Sequence, residues 1–312
     1  MGAIRSSSVA QALGGADLIS PRIGLDEDQR EFYELAKKFS DTELKPFAAE
    51  WDEKAHFPMD TFKSFADVGF AGISISEDYG GSGLSRESNT VIIEALASGC
   101  VGTTAMLTIH NMCAGMIEKF GNDEQKEEWL PKLTSLETMA SYCLTEPSSG
   151  SDAASLLTTA TISDDGSHYV VNGGKAFISG AGLSDVYLVM CRTGGVKGPR
   201  GVTCLMIPKE AEGVSFGADE KKMGWKVQPT RQVLFEDVKI PIENRLGDEG
   251  MGFKMAMTGL DGGRLSIASC SLGAAQECFE IALAYTKERK QFGTAVADHQ
   301  APPFRLADMA AH

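Results

Sequence analysis

The chain has 312 residues, 43% of them apolar and 23% charged, and 43 acidic side chains against 29 basic ones leave a formal net charge of −14. That balance excludes a nucleic-acid binder, which needs clustered Lys and Arg, and no apolar run approaches the roughly 20 residues that span a bilayer, so no membrane partner is expected. Seven cysteines (Cys100, Cys113, Cys143, Cys191, Cys204, Cys270 and Cys278) lie in apolar segments without a Cys-x-x-Cys pair, which reads as buried free thiols in a reducing compartment.

Residues 1–22, with Arg5, three consecutive serines and a single late acid, Asp17, read as a leader or the remnant of a mitochondrial transit peptide. Residues 26–55 are predicted helical: Asp26 suits the cap, Glu27 and Asp28 the first turn, and Phe32, Leu35, Ala36 and Phe39 recur at helical spacing until Pro46 intervenes. Short helices are expected over 60–68, 86–98, 103–119 and 123–136, so residues 23–139 form a helical domain. From Ala140 the period changes. Short β-branched and aromatic runs appear at 140–145, 155–163, 168–172, 175–179, 185–192, 201–207, 213–217 and 230–240, punctuated by turns that include Asn172-Gly-Gly174. Even spacing without intervening helices argues for an antiparallel barrel or sandwich over residues 140–247. A long helix over 253–290 and a last one from residue 304 begin a third region, 248–312. The pattern is therefore α+β: a helical domain, a β-domain, and an incomplete C-terminal helical bundle.

Self-sufficient chemistry is scarce. There is no Gly-x-Gly-x-x-Gly between strand and helix, no Walker lysine and no Gly-x-Ser-x-Gly elbow. The five histidines show no metal-ligand spacing, and His110, on an apolar helix, reads as a satisfied core histidine. A chain with so little chemistry of its own suits a bound cofactor that carries the reaction.

One stretch stands out. Tyr142-Cys-Leu-Thr-Glu-Pro-Ser-Ser-Gly-Ser-Asp152 begins as a strand, is stopped by Pro147, and opens into small residues that leave N–H groups and hydroxyls uncovered. An ordinary strand-to-loop exit fits that pattern equally well. Three further motifs follow: Lys175-Ala-Phe-Ile-Ser179; Lys222-Met-Gly-Trp-Lys-Val-Gln-Pro-Thr-Arg231 running into Val233-Leu-Phe-Glu-Asp-Val238; and Gly259-Leu-Asp-Gly-Gly-Arg264 with Arg289-Lys-Gln-Phe-Gly293 downstream. Together, in this order and spacing, they resemble the acyl-CoA dehydrogenase family over about residues 23 to 310.

The resemblance implies a helical, a β and a second helical domain, with FAD between the last two. It implies FAD contacts from Tyr142, Cys143, Leu144, Thr145, Glu146, Ser151, Phe177, Ile178 and Ser179, and from Arg289, Gln291, His299 and Gln300 toward a neighbouring subunit of a homo-oligomer, a tetramer in most relatives. Ser151, Asp261, Gly262, Gly263 and Arg264 would hold the acyl-CoA thioester. The implied activity is FAD-dependent α,β-dehydrogenation of a short branched acyl-CoA, isobutyryl-CoA-like and of the kind met in valine breakdown. Electrons would pass to an electron-transferring flavoprotein in the mitochondrial matrix. Two departures qualify this. The family's usual catalytic glutamate is expected beyond His312, and its alternative position is occupied by Gly263, so no catalytic base is assigned here. Pro302 and Pro303 interrupt an expected continuous helix unless they fall in its first turn, which bears on Gln300. A non-catalytic chain that binds FAD or acyl-CoA, or associates with full-length subunits, is the alternative.

Overall fold

Helix α1, Glu27–Phe39, starts at a capping box: Asp26 Oδ1 accepts from the Gln29 amide at 2.8 Å, and Gln29 Oε1 accepts back from the Asp26 amide at 3.2 Å. The computed structural model describes residues 22–311, so the expected leader lies, apart from Arg22, outside the described residues. After α1 the backbone passes through a π-helical turn, Ser40–Leu44, and resumes as α2, Ala48–Lys54; the helix expected over 26–55 is thus interrupted before Pro46. Helices α3 (Met59–Lys63), α4 (Arg86–Ala97), α5 (Val101–Phe120) and α6 (Asp123–Thr134) complete the first layer. Their shared core holds Phe39, Leu44, Phe62, Phe65, Ile93, Leu96 and Met106, each contributing about 1.5–3 kcal/mol by leaving water.

The middle of the chain is one eight-stranded sheet: β1 (Ala140–Cys143), β2 (Thr159–Ile162), β3 (His168–Ser179), β4 (Val186–Arg192), β5 (Val202–Pro208), β6 (Val214–Phe216), β7 (Thr230–Pro241) and β8 (Arg245–Leu246). Its order is β6-β7-β3-β2-β4-β5-β8, with β1 also paired to β4. The pairing differs from a wholly antiparallel sheet in two strand pairs, both involving β4. Because the β2–β3 hairpin intervenes, β1 and β4 run parallel, and Thr159 of β2 meets Arg192 of β4 in the same sense. The turn expected at Asn172-Gly-Gly174 is also corrected. β3 runs through it as one strand against β7, with register shifts between Val171 and Gly173 and between Lys175 and Ile178. Gly173 takes φ +141°, and a Cβ there would stand 2.7 Å from the Thr158 backbone, so the glycine serves a bulge rather than a turn.

Strands β4 and β5 are apolar on both faces because both faces are buried. Val186, Leu188 and Met190 face the helices with Val202, Cys204 and Met206, while Tyr187, Val189 and Cys191 face the opposite core with Leu205 and Ile207. His110 joins the layers. It is fully buried, accepts at Nδ1 from the Ala140 amide (3.2 Å), and donates from Nε2 to the Leu133 carbonyl (3.0 Å). Burial holds it neutral, with a pKa of about 4, opposed only by that carbonyl.

Helix α7, Gly252–Glu288, then crosses α4 and α5. Gly273 sets the α4 crossing, since a Cβ on it would lie 2.0 Å from the Glu94 carbonyl oxygen. A ribbon of β9 (Lys290–Gln291) and β10 (Thr294–Ala295) leads into α8, Ala301–Ala311, where Pro302 and Pro303 fall in the first turn and break nothing. All seven cysteines are free, six of them buried and Cys278 exposed. No helix among the described residues is long and apolar enough to cross a membrane.

Candidate active-site cleft

Period-two geometry decides which side chains of the first motif are usable. Along β1, Tyr142 and Leu144 point to the helical side, whereas Cys143 is completely buried in the opposite core with Val189 and Cys191. Past Cys143 the chain leaves the sheet, and Thr145 is tied back by the Ala176 amide, which donates to its carbonyl at 2.9 Å. The small-residue loop is then closed by a two-way backbone bridge between Glu146 and Ser149 and by Ser149 Oγ donating to the Asp152 carbonyl.

Glu146 and Lys175 form the clasp beneath this loop. Lys175 Nζ lies 2.7 Å from Glu146 Oε1 and 3.2 Å from the Leu144 carbonyl, and the carboxylate also accepts from the Leu157 (2.6 Å) and Thr158 (2.9 Å) amides. Both side chains are buried, at 0% and 3% exposure. Burial pushes the Glu146 carboxyl up, but the Lys175 charge and the hydrogen bonds outweigh it and hold it below its ordinary value. Glu146 is therefore spent on structure and does not reach the cleft.

On the other side of the clasp, the second bulge of β3 puts Phe177 in the left-handed region at φ +58°, with 64% of its surface exposed. That conformation costs a non-glycine residue about 1–3 kcal/mol and persists because both flanks of the bulge are pinned. Phe177, Ile178 and Ser179 thereby meet Tyr142, Leu144, Thr145 and Ser151 along one cleft of about 700 Å³. Its opposite wall comes from α5 (Ala105, Thr108, Ile109, Met112) and α7 (Met257, Leu260, Gly263, Arg264, Ile267). Lys222, Trp225, Gln228 and Thr230 close one end, and Trp225 is also left-handed at φ +56°.

Several expected residues lie elsewhere. Cys143 and Glu146 are below the floor. Asp261 is exposed, because two residues along a helix turn its side chain about 200° away from Gly263, and Gly262 lines the neighbouring groove beside Arg86. Arg289, Gln291, His299 and Gln300 sit on the segment after α7, outside the cleft lining; the His299 ring lies 3.3 Å from the Gln291 carbonyl oxygen. Met112, Trp225 and Lys222 were not singled out as site residues from sequence. Helix α5 is apolar nearly all round, so its periodicity names no cleft face, and the motif Lys222–Arg231 marks the loop without saying which of its side chains reach the cleft.

The lining suits a flat ring system with polar edges. The Tyr142 hydroxyl is buried with no hydrogen-bond partner among the described residues, and burial keeps the phenol neutral and able to donate. Thr145, Ser151 and Ser179 add short polar groups beside the apolar faces of Leu144 and Phe177. No aspartate or glutamate is among the described residues that line the cleft, and no His/Cys/Asp/Glu cluster among the described residues can hold a metal.

Sequence profiles match three consecutive regions: the N-terminal domain of acyl-CoA dehydrogenase over residues 26–137, its middle domain over 141–238, and its C-terminal domain over 250–312. The chain belongs to the acyl-CoA dehydrogenase family, flavin-dependent oxidoreductases that use FAD. It is 53% identical over 291 residues to the mitochondrial isobutyryl-CoA dehydrogenase of Dictyostelium discoideum, covering 93% of this chain and 70% of that protein. It is also 53% identical over 298 residues to that of Bos taurus, covering 96% and 71%. Among solved structures, butyryl-CoA dehydrogenase from Megasphaera elsdenii superposes with a TM-score of 0.89 at 37% identity, over 93% of this chain and 76% of that one. Both 53% identical relatives are named mitochondrial, which supports a mitochondrial location for this chain.

Proposed function

We propose that the cleft holds FAD and oxidises a short branched acyl-CoA thioester, isobutyryl-CoA or a close analogue, as in valine breakdown. The observation that carries this is the meeting of Tyr142–Ser151 with Phe177–Ser179 opposite α5 and α7, in a cleft with apolar walls and short polar groups. FAD, when bound, supplies the acceptor for the hydride that leaves the β carbon. Tyr142, Leu144, Thr145, Phe177, Ile178 and Ser179 would hold the ring, Leu144 and Phe177 with apolar surface and Thr145 and Ser179 with short polar groups. Ser151 and Arg264 hold the thioester's CoA arm, Arg264 as the cation facing its phosphates. The acyl group lies against Ile109, Met112, Met257 and Leu260, which exclude water from the reacting carbons. Gly263 and Asp261 do not provide a base from α7, since one lacks a side chain and the other is turned away, so the α proton would pass to a carboxylate that the described residues do not supply. Arg289, Gln291, His299 and Gln300 serve a neighbouring copy in a homotetramer, and electrons leave to an electron-transferring flavoprotein.

The absence of a carboxylate among the described lining residues favours a second outcome, a chain that binds FAD or acyl-CoA without turning over, or that associates with full-length subunits. An absorbance scan after incubation with FAD, followed by anaerobic isobutyryl-CoA, separates the two. Loss of the oxidised-flavin band identifies the dehydrogenase, and a band that persists identifies the binder. A protein that retains no flavin after free FAD is removed by gel filtration overturns the dehydrogenase and the FAD binder alike.

A further inference from the structure

Between α5 and α7 lies a second, smaller space of about 130 Å³, lined by Met116 and Gly259 and rimmed by Arg86, Asn89 and Lys119. Three residues line both this space and the main cleft: Thr108, Met112 and Gly263. Thr108 is held in place by its hydroxyl, which donates to the Ala105 carbonyl at 2.7 Å. Gly263 has no side chain. Met112 is therefore the only long side chain in the partition, and glycines make room for it. A Cβ on Gly263 would come within 3.3 Å of Met112 Sδ, and one on Gly259 within 2.9 Å of Met116 Sδ and 3.4 Å of Met112 Cγ.

We infer that Met112 is the end wall of the acyl pocket and sets the chain length that the cleft accepts. This rests on the acyl-CoA function proposed above and adds a specificity residue to it. The wall is one unbranched side chain seated over a glycine, so an acyl group of short length fills the space up to it, and a longer straight chain meets the methionine. Replacing Met112 with alanine removes Cγ, Sδ and Cε and merges the cleft with the second space, so the extra methylenes of a longer chain have somewhere to go. A pocket wall of this kind discriminates by about 10- to 200-fold for one methylene.

The test measures isobutyryl-CoA and hexanoyl-CoA binding to the FAD-loaded chain by isothermal titration, in wild type, Met112→Ala and Met116→Ala. Met116 lines only the second space, so its truncation loosens the helix pair without opening the wall. The expected result is a rise of about 10-fold or more in hexanoyl-CoA affinity relative to isobutyryl-CoA in Met112→Ala, with the ratio unchanged in Met116→Ala. An unchanged ratio in Met112→Ala, or an equal rise in both variants, overturns the wall while leaving the acyl-CoA function standing. No binding of either thioester to wild type overturns both. Should Met112→Ala fail to fold, Gly263→Ala decides from the other side: its Cβ crowds Met112 Sδ, so hexanoyl-CoA affinity falls relative to isobutyryl-CoA, and a ratio that stays level refutes the wall.

Discussion

Replacing Lys175 with methionine keeps the length of the side chain and removes its charge from a site with no exposure to solvent. At 2.7 Å and an effective dielectric of about 20 the attraction to Glu146 is about 6 kcal/mol, 332/(20 × 2.7). Most of that offsets the cost of desolvating two ions, so the native pair is worth little by itself. Removing one partner instead leaves a buried, unpaired carboxylate and costs about 3–5 kcal/mol. The deficit should depend on pH with a definite sign. In the native protein Glu146 sits below its ordinary value. Its contribution is therefore present above the unfolded pKa and lost as pH falls through the folded one. With Lys175 gone, burial pushes the carboxyl up instead, so protonation relieves the strain and the Lys175→Met deficit shrinks as pH falls. Urea unfolding of Lys175→Met, Glu146→Gln and the double variant measures both effects. The double variant should cost less than the sum of the singles. A single-variant cost under about 1 kcal/mol at neutral pH, or additive singles, would refute the buried-charge account.

His110 makes the fold acid-sensitive through a different route. It is held neutral with a pKa of about 4 against about 6.5 when unfolded, so stability is full above the unfolded value and falls by about 3 kcal/mol as pH drops toward the folded one. His110→Gln should flatten that part of a stability-versus-pH curve, and an unchanged slope counts against the assignment. Gly273→Ala places a Cβ against the Glu94 backbone and should lower the melting temperature by several degrees, an effect of about 1–3 kcal/mol; a gain in stability, as helix propensity alone would give, would show that α4 and α7 do not cross there. Phe177→Gly relieves the left-handed strain and should raise stability by about 1 kcal/mol or leave it level while weakening FAD binding, measured by quenching of flavin fluorescence. Unweakened binding would remove Phe177 from the ring contact.

Local chemistry was enough for much of this protein. Asp26, with Glu27 and Asp28 in the first turn, marked the start of α1 because a helix cap is satisfied within a few residues. The change from a helical to a two-residue period at Ala140 divided the chain, and His110 read correctly as a core residue. Tyr142, Leu144, Thr145, Ser151 and Phe177–Ser179 were named by the family resemblance and not by local chemistry; they line one cleft.

What sequence could not supply was the identity of each residue's partner. Cys143 and Leu144 are equally apolar, and alternation says only that they face opposite ways; the packing of α5 on one side of β1 decided which of them lines the cleft. Asn172-Gly-Gly174 suits a turn or a bulge equally well, and β7 running alongside made it a bulge. Glu146 and Lys175 are separated by enough chain that only the meeting of two loops reveals them as a pair. Patterning gives each element an apolar face, but Leu35 of α1 and Leu265, Leu272 and Ile281 of α7 stay exposed, because burial depends on what packs against that face. Which buried residue faces a neighbour and which faces a ligand is settled only when distant segments pack against each other.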